Sequence, residues 1–136
     1  MACIFCEIVS KKASAYTIYE NDLVCCFLDK YPINTGHVLV IPKKHYQELT
    51  DVDQESLSQV ILVSQKVAKA LEEILNTDGI TIMQNNGKFK DVEHYHMHII
   101  PRFLNDGFSW IEPDVNVIED EFVHLSSSLE RLLSKS

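Results

Sequence analysis

Apolar residues recur along this chain at two different periods. Short β-rich runs, Tyr16 to Glu20 and Leu23 to Leu28, flank the turn-forming Asn21-Asp22 and read as a hairpin. A third run, His37 to Ile41, follows the Tyr31-Pro32-Ile33-Asn34-Thr35-Gly36 punctuation and stops at Pro42, which has no N–H to give a ladder. These three strands predict an antiparallel meander. From Asp53 to about Leu75 the period changes, and Leu57, Val60, Ile61, Val67, Ala68, Leu71, Ile74 and Leu75 return at three- and four-residue steps, as on one long helix packed by one face. Asp51 followed by Gln54 suits its start, and Gly79 lies beyond its end. Ile80 to Met83 and His94 to Ile100 read as two further strands joined by a loop containing Asn85-Asn86-Gly87, with a short helix near 120–134. The order β-β-β-α-β-β predicts an α+β fold, an antiparallel sheet of about five strands with the long helix on one face. No repeat or linker interrupts it, so one domain over 1–136 is expected.

Composition narrows the partner. With 20 acidic against 12 basic residues the formal charge is -8, which argues against a nucleic-acid polymer, whose binding rests on many Lys/Arg contacts to phosphate. A small anion in one pocket remains allowed. No apolar stretch approaches a membrane span and the start lacks the basic and apolar regions of a signal peptide, so a cytoplasmic protein without membrane attachment is expected. The cysteines fall as a C-x-x-C pair, Cys3 and Cys6, and as adjacent Cys25 and Cys26. In such a chain this favours metal binding or reduced thiols over a disulfide framework, and Cys25 and Cys26 suit packing better than ligation.

The candidate chemistry sits in His94-Tyr95-His96-Met97-His98-Ile99-Ile100-Pro101. Read as a strand, the run puts three imidazoles on one face and Tyr95, Met97 and Ile99 on the other. Three adjacent cations would suppress one another's protonation, so the cluster is expected to be largely neutral near pH 7. Neutral imidazole is a nucleophile or a metal ligand: attack on phosphorus uses one ring nitrogen while the other donates to a carbonyl or a neighbouring histidine. A lone strand histidine is ordinarily structural, and His-x-His on a sheet can simply bind metal. Three in strict alternation, backed by an unbroken apolar face, favour catalysis.

The run fits the His-φ-His-φ-His-φ-φ motif, with φ apolar, and the sequence resembles the histidine triad (HIT) family in its bacterial, hydrolase-type branch. Cys3-Ile4-Phe5-Cys6-Glu7-Ile8, Phe27-Leu28-Asp29, Gly36 to His45, Asn85-Asn86-Gly87 and Ile100-Pro101-Arg102 are similar to family segments in the family's order. The resemblance implies that His96 attacks an α-phosphate to form a nucleotidyl-histidine that water releases as a nucleoside monophosphate. It implies that His98 holds the phosphate and helps protonate the leaving group, and that Asn85 contacts the phosphate. Asp29 would accept from both ribose hydroxyls, and Ile4, Phe5, Ile8, Phe27 and Leu39 would surround the base, although Asp29 capping a turn and an ordinary core explain these six without the motif. A structural zinc ion on Cys3, Cys6, His45 and His94 is implied as a staple between the N-terminus and the triad, with His94 completing the triad's catalytic row. So are a homodimer and a small substrate, a purine phosphoramidate or dinucleoside polyphosphate. His98, where related nucleotidyltransferases carry Gln, favours hydrolysis over transfer. A nucleotide sensor with incidental hydrolysis, or a zinc-dependent interaction module, is the alternative.

The chain departs from the pattern at Lys88-Phe89-Lys90-Asp91-Val92-Glu93, where many relatives carry Gly-Gln-Ser. The usual hydroxyl and amide are absent. Lys90 is expected to offer a cation to a polyphosphate or leaving group, and Asp91 to repel one unless neutralised or turned away. Trp110, in Gly107-Phe108-Ser109-Trp110, is a residue for the core, an interface or the pocket mouth.

Overall fold

The structure, a computed structural model, describes residues 3–135. Five strands, β1 (Thr17–Glu20), β2 (Val24–Leu28), β3 (Val38–Pro42), β4 (Gly79–Met83) and β5 (Met97–Arg102), and helices α1 (Ile4–Val9), α2 (Gln54–Leu75) and α3 (Glu119–Leu133) run in the order α1-β1-β2-β3-α2-β4-β5-α3. The sheet order is β1-β2-β3-β5-β4, and every described pairing is antiparallel, as the meander and the α+β pattern require. Asn21 closes the first hairpin by accepting from the backbone N–H groups of Leu23 and Val24, both at 2.9 Å.

Each face of the sheet has its own cover. On one, Val60, Val63, Val67 and Leu71 of α2 pack against Val24, Cys26, Val38, Val40, Tyr95 and Ile99. Burying an aliphatic side chain of this size is worth about 1.5–3 kcal/mol. The buried stripe is narrower than the expected apolar set: Ile61 is 51% and Ile74 77% exposed, because both lie beside the line 60-63-67-71. Helix α2 keeps the expected range but is capped by other residues. Asp53, not Asp51, caps it by accepting from Ser56 N at 3.0 Å, and Asn76 ends it in the left-handed region at φ 51°, while Gly79 opens β4. Gly36 sits against this helix at φ +91°, where an added Cβ would lie 2.6 Å from Leu75 Cδ1, so both the turn and the close approach require glycine.

On the other face lies α1, which the periodicity did not predict because six residues are too few to display a helical repeat. Cys3 caps it, accepting from Cys6 N at 3.4 Å, and Phe5 and Ile8 pack on Cys25, Phe27, Leu39 and Ile41. The adjacent cysteines thus enter opposite clusters, both free and buried, and burial pushes the Cys26 thiol up to about 12. They pack, as expected of them.

Strand β5 begins at Met97, three residues later than expected, because Tyr95 N donates to Tyr46 O at 2.7 Å instead of joining a ladder. It runs on through Pro101, paired with Ile80, to Arg102. Pro42 likewise ends β3 from inside, paired with Val24. The C-terminal helix falls where expected, but none of its residues is buried: Phe122, Leu125, Leu129 and Leu132 stand exposed.

Candidate functional site

Alternation survives the late start of β5. His94, His96 and His98 are 0, 1 and 6% exposed and sit on the α1 side, while Tyr95, Met97 and Ile99 face the α2 core. The two ends of the histidine row meet different partners.

At one end His94 Nδ1 lies 3.5 Å from Cys3 Sγ and 3.6 Å from Cys6 Sγ, and His45 Nδ1 lies 3.3 Å from Cys6 Sγ. A tetrahedral zinc with Zn–S of about 2.3 Å and Zn–N of about 2.0–2.1 Å sets S···N edges of roughly 3.5 Å. All four donor atoms lie within 4.8 Å of one another, so the set fits that ion as it stands. The opposite nitrogen of His94, Nε2, donates to Pro42 O at 2.8 Å, which leaves Nδ1 as the ligating atom. Desolvation and the adjoining Cys3 sulfur push the Cys6 thiol up to about 11, so Cys6 holds its proton near pH 7 unless a cation draws it off as the thiolate.

At the other end a relay of hydrogen bonds sets the tautomer. Ile33 N donates to His37 Nδ1 at 3.0 Å, so the proton of neutral His37 resides on Nε2, which lies 2.9 Å from His98 Nδ1. His98 therefore accepts at Nδ1 and carries its own proton on Nε2, a buried donor with no partner. Asp29 Oδ2 stands 3.5 Å from His37 Nε2 and steadies it. Burial, then the charges of His96 and His37, holds His98 down to about 4. Burial likewise lowers His37, and holds His94 down to about 4. His37, His94 and His98 are thus favoured as neutral rings near pH 7, with burial rather than mutual repulsion as the leading cause.

Between the ends, His96 Nδ1 donates to His94 O at 2.6 Å, turning Nε2 outward to Asp91 Oδ1 at 3.0 Å. While the two are paired, the carboxylate occupies the direction along which Nε2 would approach another atom. Beside this atom opens a cavity of about 460 Å³ lined by Ile4, Phe5, Ile8, Phe27 and Leu39, with Asp29 and Asp91 on its wall. The Phe5 ring makes edge contacts with Phe27, His94 and His96 at centroid distances of 5.4, 5.9 and 5.2 Å, tying the cavity to the row.

Residues 10–105 match the family model described as HIT domain. An uncharacterized HIT-like protein of Borreliella burgdorferi is 39% identical over 132 residues, covering 93% of this chain and 95% of the relative. The chain belongs to the HIT family. Among solved structures, a histidine triad nucleotide-binding protein from Candida albicans is 32% identical at a TM-score of 0.87, covering 98% of this chain and 99% of that one. A Zn-bound histidine triad family protein from Mycobacterium smegmatis is 39% identical at a TM-score of 0.76, covering 100% and 99%.

The structure brings this HIT chain's expected base-pocket residues, its four candidate ligands and its triad together, and leaves one expectation, a Lys90 cation, unmet. Asn85 is half-buried on the loop after β4, and among the described residues its side chain makes no hydrogen bond to the histidines. Lys90 is turned away: its Nζ contacts Glu93 at 2.8 Å, Gln47 O at 3.1 Å and Glu48 at 3.3 Å, so it offers no cation to the site. Asp29 does cap a turn, its Oδ1 accepting from Tyr31 N at 2.9 Å, while its other oxygen faces the site. Trp110 is 63% exposed and meets Phe108, lining neither core nor cavity. His37 was absent from the expected site, although an imidazole heading the otherwise apolar run 37–41 is the signal that could have found it.

Proposed function

We propose that this HIT protein is a hydrolase acting at the α-phosphate of small nucleotide conjugates, with a purine nucleoside phosphoramidate or a dinucleoside polyphosphate as substrate. The observation that carries the reading is the orientation of His96, whose Nδ1 is held by His94 O so that Nε2 points to the cavity side. In that role Nε2 attacks phosphorus, the bond to the leaving group breaks with its electron pair, and the leaving group takes up a proton. Water then attacks the nucleotidyl-histidine from the opposite side, gives up its proton, and frees the nucleoside monophosphate and His96. The unpartnered His98 Nε2–H suits a phosphoryl oxygen, worth several powers of ten in a water-poor site when set in advance. Asp29 would hold the ribose, Ile4, Phe5, Ile8, Phe27 and Leu39 the base, and Asn85 would contact a phosphate.

Zinc on Cys3, Cys6, His45 and His94 would bind α1 to the histidine row as a structural ion, with no open position for substrate. Pairing into a homodimer is supported by an apolar groove of about 470 Å³ between β1 and α2 and by the uncovered apolar side chains of α3. No helix among the described residues is long and apolar enough to cross a membrane.

Wild type and His96→Ala, mixed with adenosine phosphoramidate and with diadenosine polyphosphates, test the reading by intact mass. A nucleotidyl adduct and turnover in the wild type alone are expected. An adduct that persists in the variant overturns the assignment of His96, and tight nucleotide binding without turnover overturns the hydrolase in favour of a sensor.

A further inference from the structure

The nitrogen that would attack is capped by a carboxylate. Asp91 Oδ1 lies 3.0 Å from His96 Nε2, where an incoming phosphorus must sit, yet the Asp91 side chain is 76% exposed and this is its one side-chain hydrogen bond among the described residues. It can pivot, but it cannot leave. The loop is anchored on both sides: Gly87 N donates to Glu48, Lys90 Nζ to Gln47 O and Glu93, and His94 Nε2 to Pro42 O. A displaced Asp91 carboxylate therefore remains beside the phosphoryl group, next to the departing group. The loop cation adjacent in sequence, Lys90, is spent on Glu48 and Glu93, and the cavity wall carries two carboxylates, Asp29 and Asp91, against Lys30.

We propose that Asp91 is a specificity-determining residue that selects the leaving group by charge, admitting nucleoside monophosphate conjugates whose leaving group is neutral or cationic and disfavouring those that carry further phosphates or carboxylates. The inference rests on the hydrolase reading and sharpens its substrate class. Among the described residues, His98 Nε2–H is the buried donor of the histidine row left without a partner, and it suits the oxygens of one phosphoryl group. Beyond that group an anionic chain meets an unneutralised carboxylate, whereas an ammonium finds a partner. A unit charge a few ångströms away near a protein surface changes relative reactivity by about tenfold or more, and salt screens it.

The test uses adenosine 5′-phosphoramidates of one linkage whose amine carries a pendant trimethylammonium, a neutral amide or a carboxylate, so that bond strength stays constant while charge varies. Wild type is expected to prefer the cationic over the anionic member by about tenfold or more in kcat/KM, and less as salt rises. Asp91→Asn should bring the ratio to about one to three, and Asp91→Lys should reverse it. A ratio that stays the same in both variants, with all three substrates turned over, overturns this inference and leaves the hydrolase reading standing. Failure of the wild type to turn over any member overturns both.

Discussion

His94 and His98 are four residues apart on one face, have the same low affinity for protons, and serve opposite surroundings. His94 gives its outer nitrogen to a carbonyl and turns the other to two sulfurs and His45, a set of soft donors that closes around a cation. His98 gives one nitrogen to His37 and keeps a proton on the other with nothing to receive it. The difference lies in what each ring's second nitrogen meets. A repeated residue type on a regular face thus acquires distinct roles from the segments packed against it, α1 at one end and the turn 29–37 at the other.

Four changes break or sharpen that contrast, in order of expected size. His96→Ala, between the two ends, should lower turnover by about 10³-fold or more while zinc content stays near that of the wild type, read by steady-state kinetics and metal analysis. Replacing Cys3 and Cys6 by Ser should abolish zinc retention and cost about 2.7 kcal/mol of stability at zinc a hundredfold above Kd, read by denaturant melts with and without chelator. A variant that melts like the wild type under both conditions would remove the staple.

Half of this contrast is legible in the sequence. The alternation of His94, His96 and His98 against Tyr95, Met97 and Ile99, and the β-β-β-α-β-β order, follow from residue period, and the structure keeps both. What the period could not carry depends on contacts distant in sequence. Nothing local marks His37 as the partner of His98, 61 positions away. Lys90 and Asp91 are neighbours in one loop, and which of them faces the site was decided by Glu48, Glu93 and Gln47 drawing the lysine outward. Helix α1 is too short to announce itself by repeat, and it is held by its Cys3 cap and by Phe5 and Ile8 against the sheet.

The two smaller effects probe the His98 end. His37→Phe removes the donor that sets the His98 tautomer and should lower kcat about tenfold with KM little changed. An equal loss through KM alone would make His37 a packing residue. The pH dependence of stability gives the gentlest reading. His98 is held at about 4 in the folded chain, below its ordinary 6.5, so its neutral form favours folding fully above 6.5, and this contribution is lost as pH falls from 6.5 to about 4. His98→Gln should flatten that stretch without abolishing it, because His37 and His94 are lowered in the same sense. An unchanged profile would mean that His98 is not the neutral, buried donor described.

The separation of the two ends is tested most directly by long-range ¹H–¹⁵N spectra of the imidazoles, recorded as zinc and then adenosine monophosphate are added. Zinc should shift His94 and His45 at Nδ1 and leave His98 in place, and the nucleotide should shift His98 and His96 at Nε2 while His94 stays fixed. Zinc binding to His96 and His98, or a common response of all three triad rings to either ligand, would contradict it.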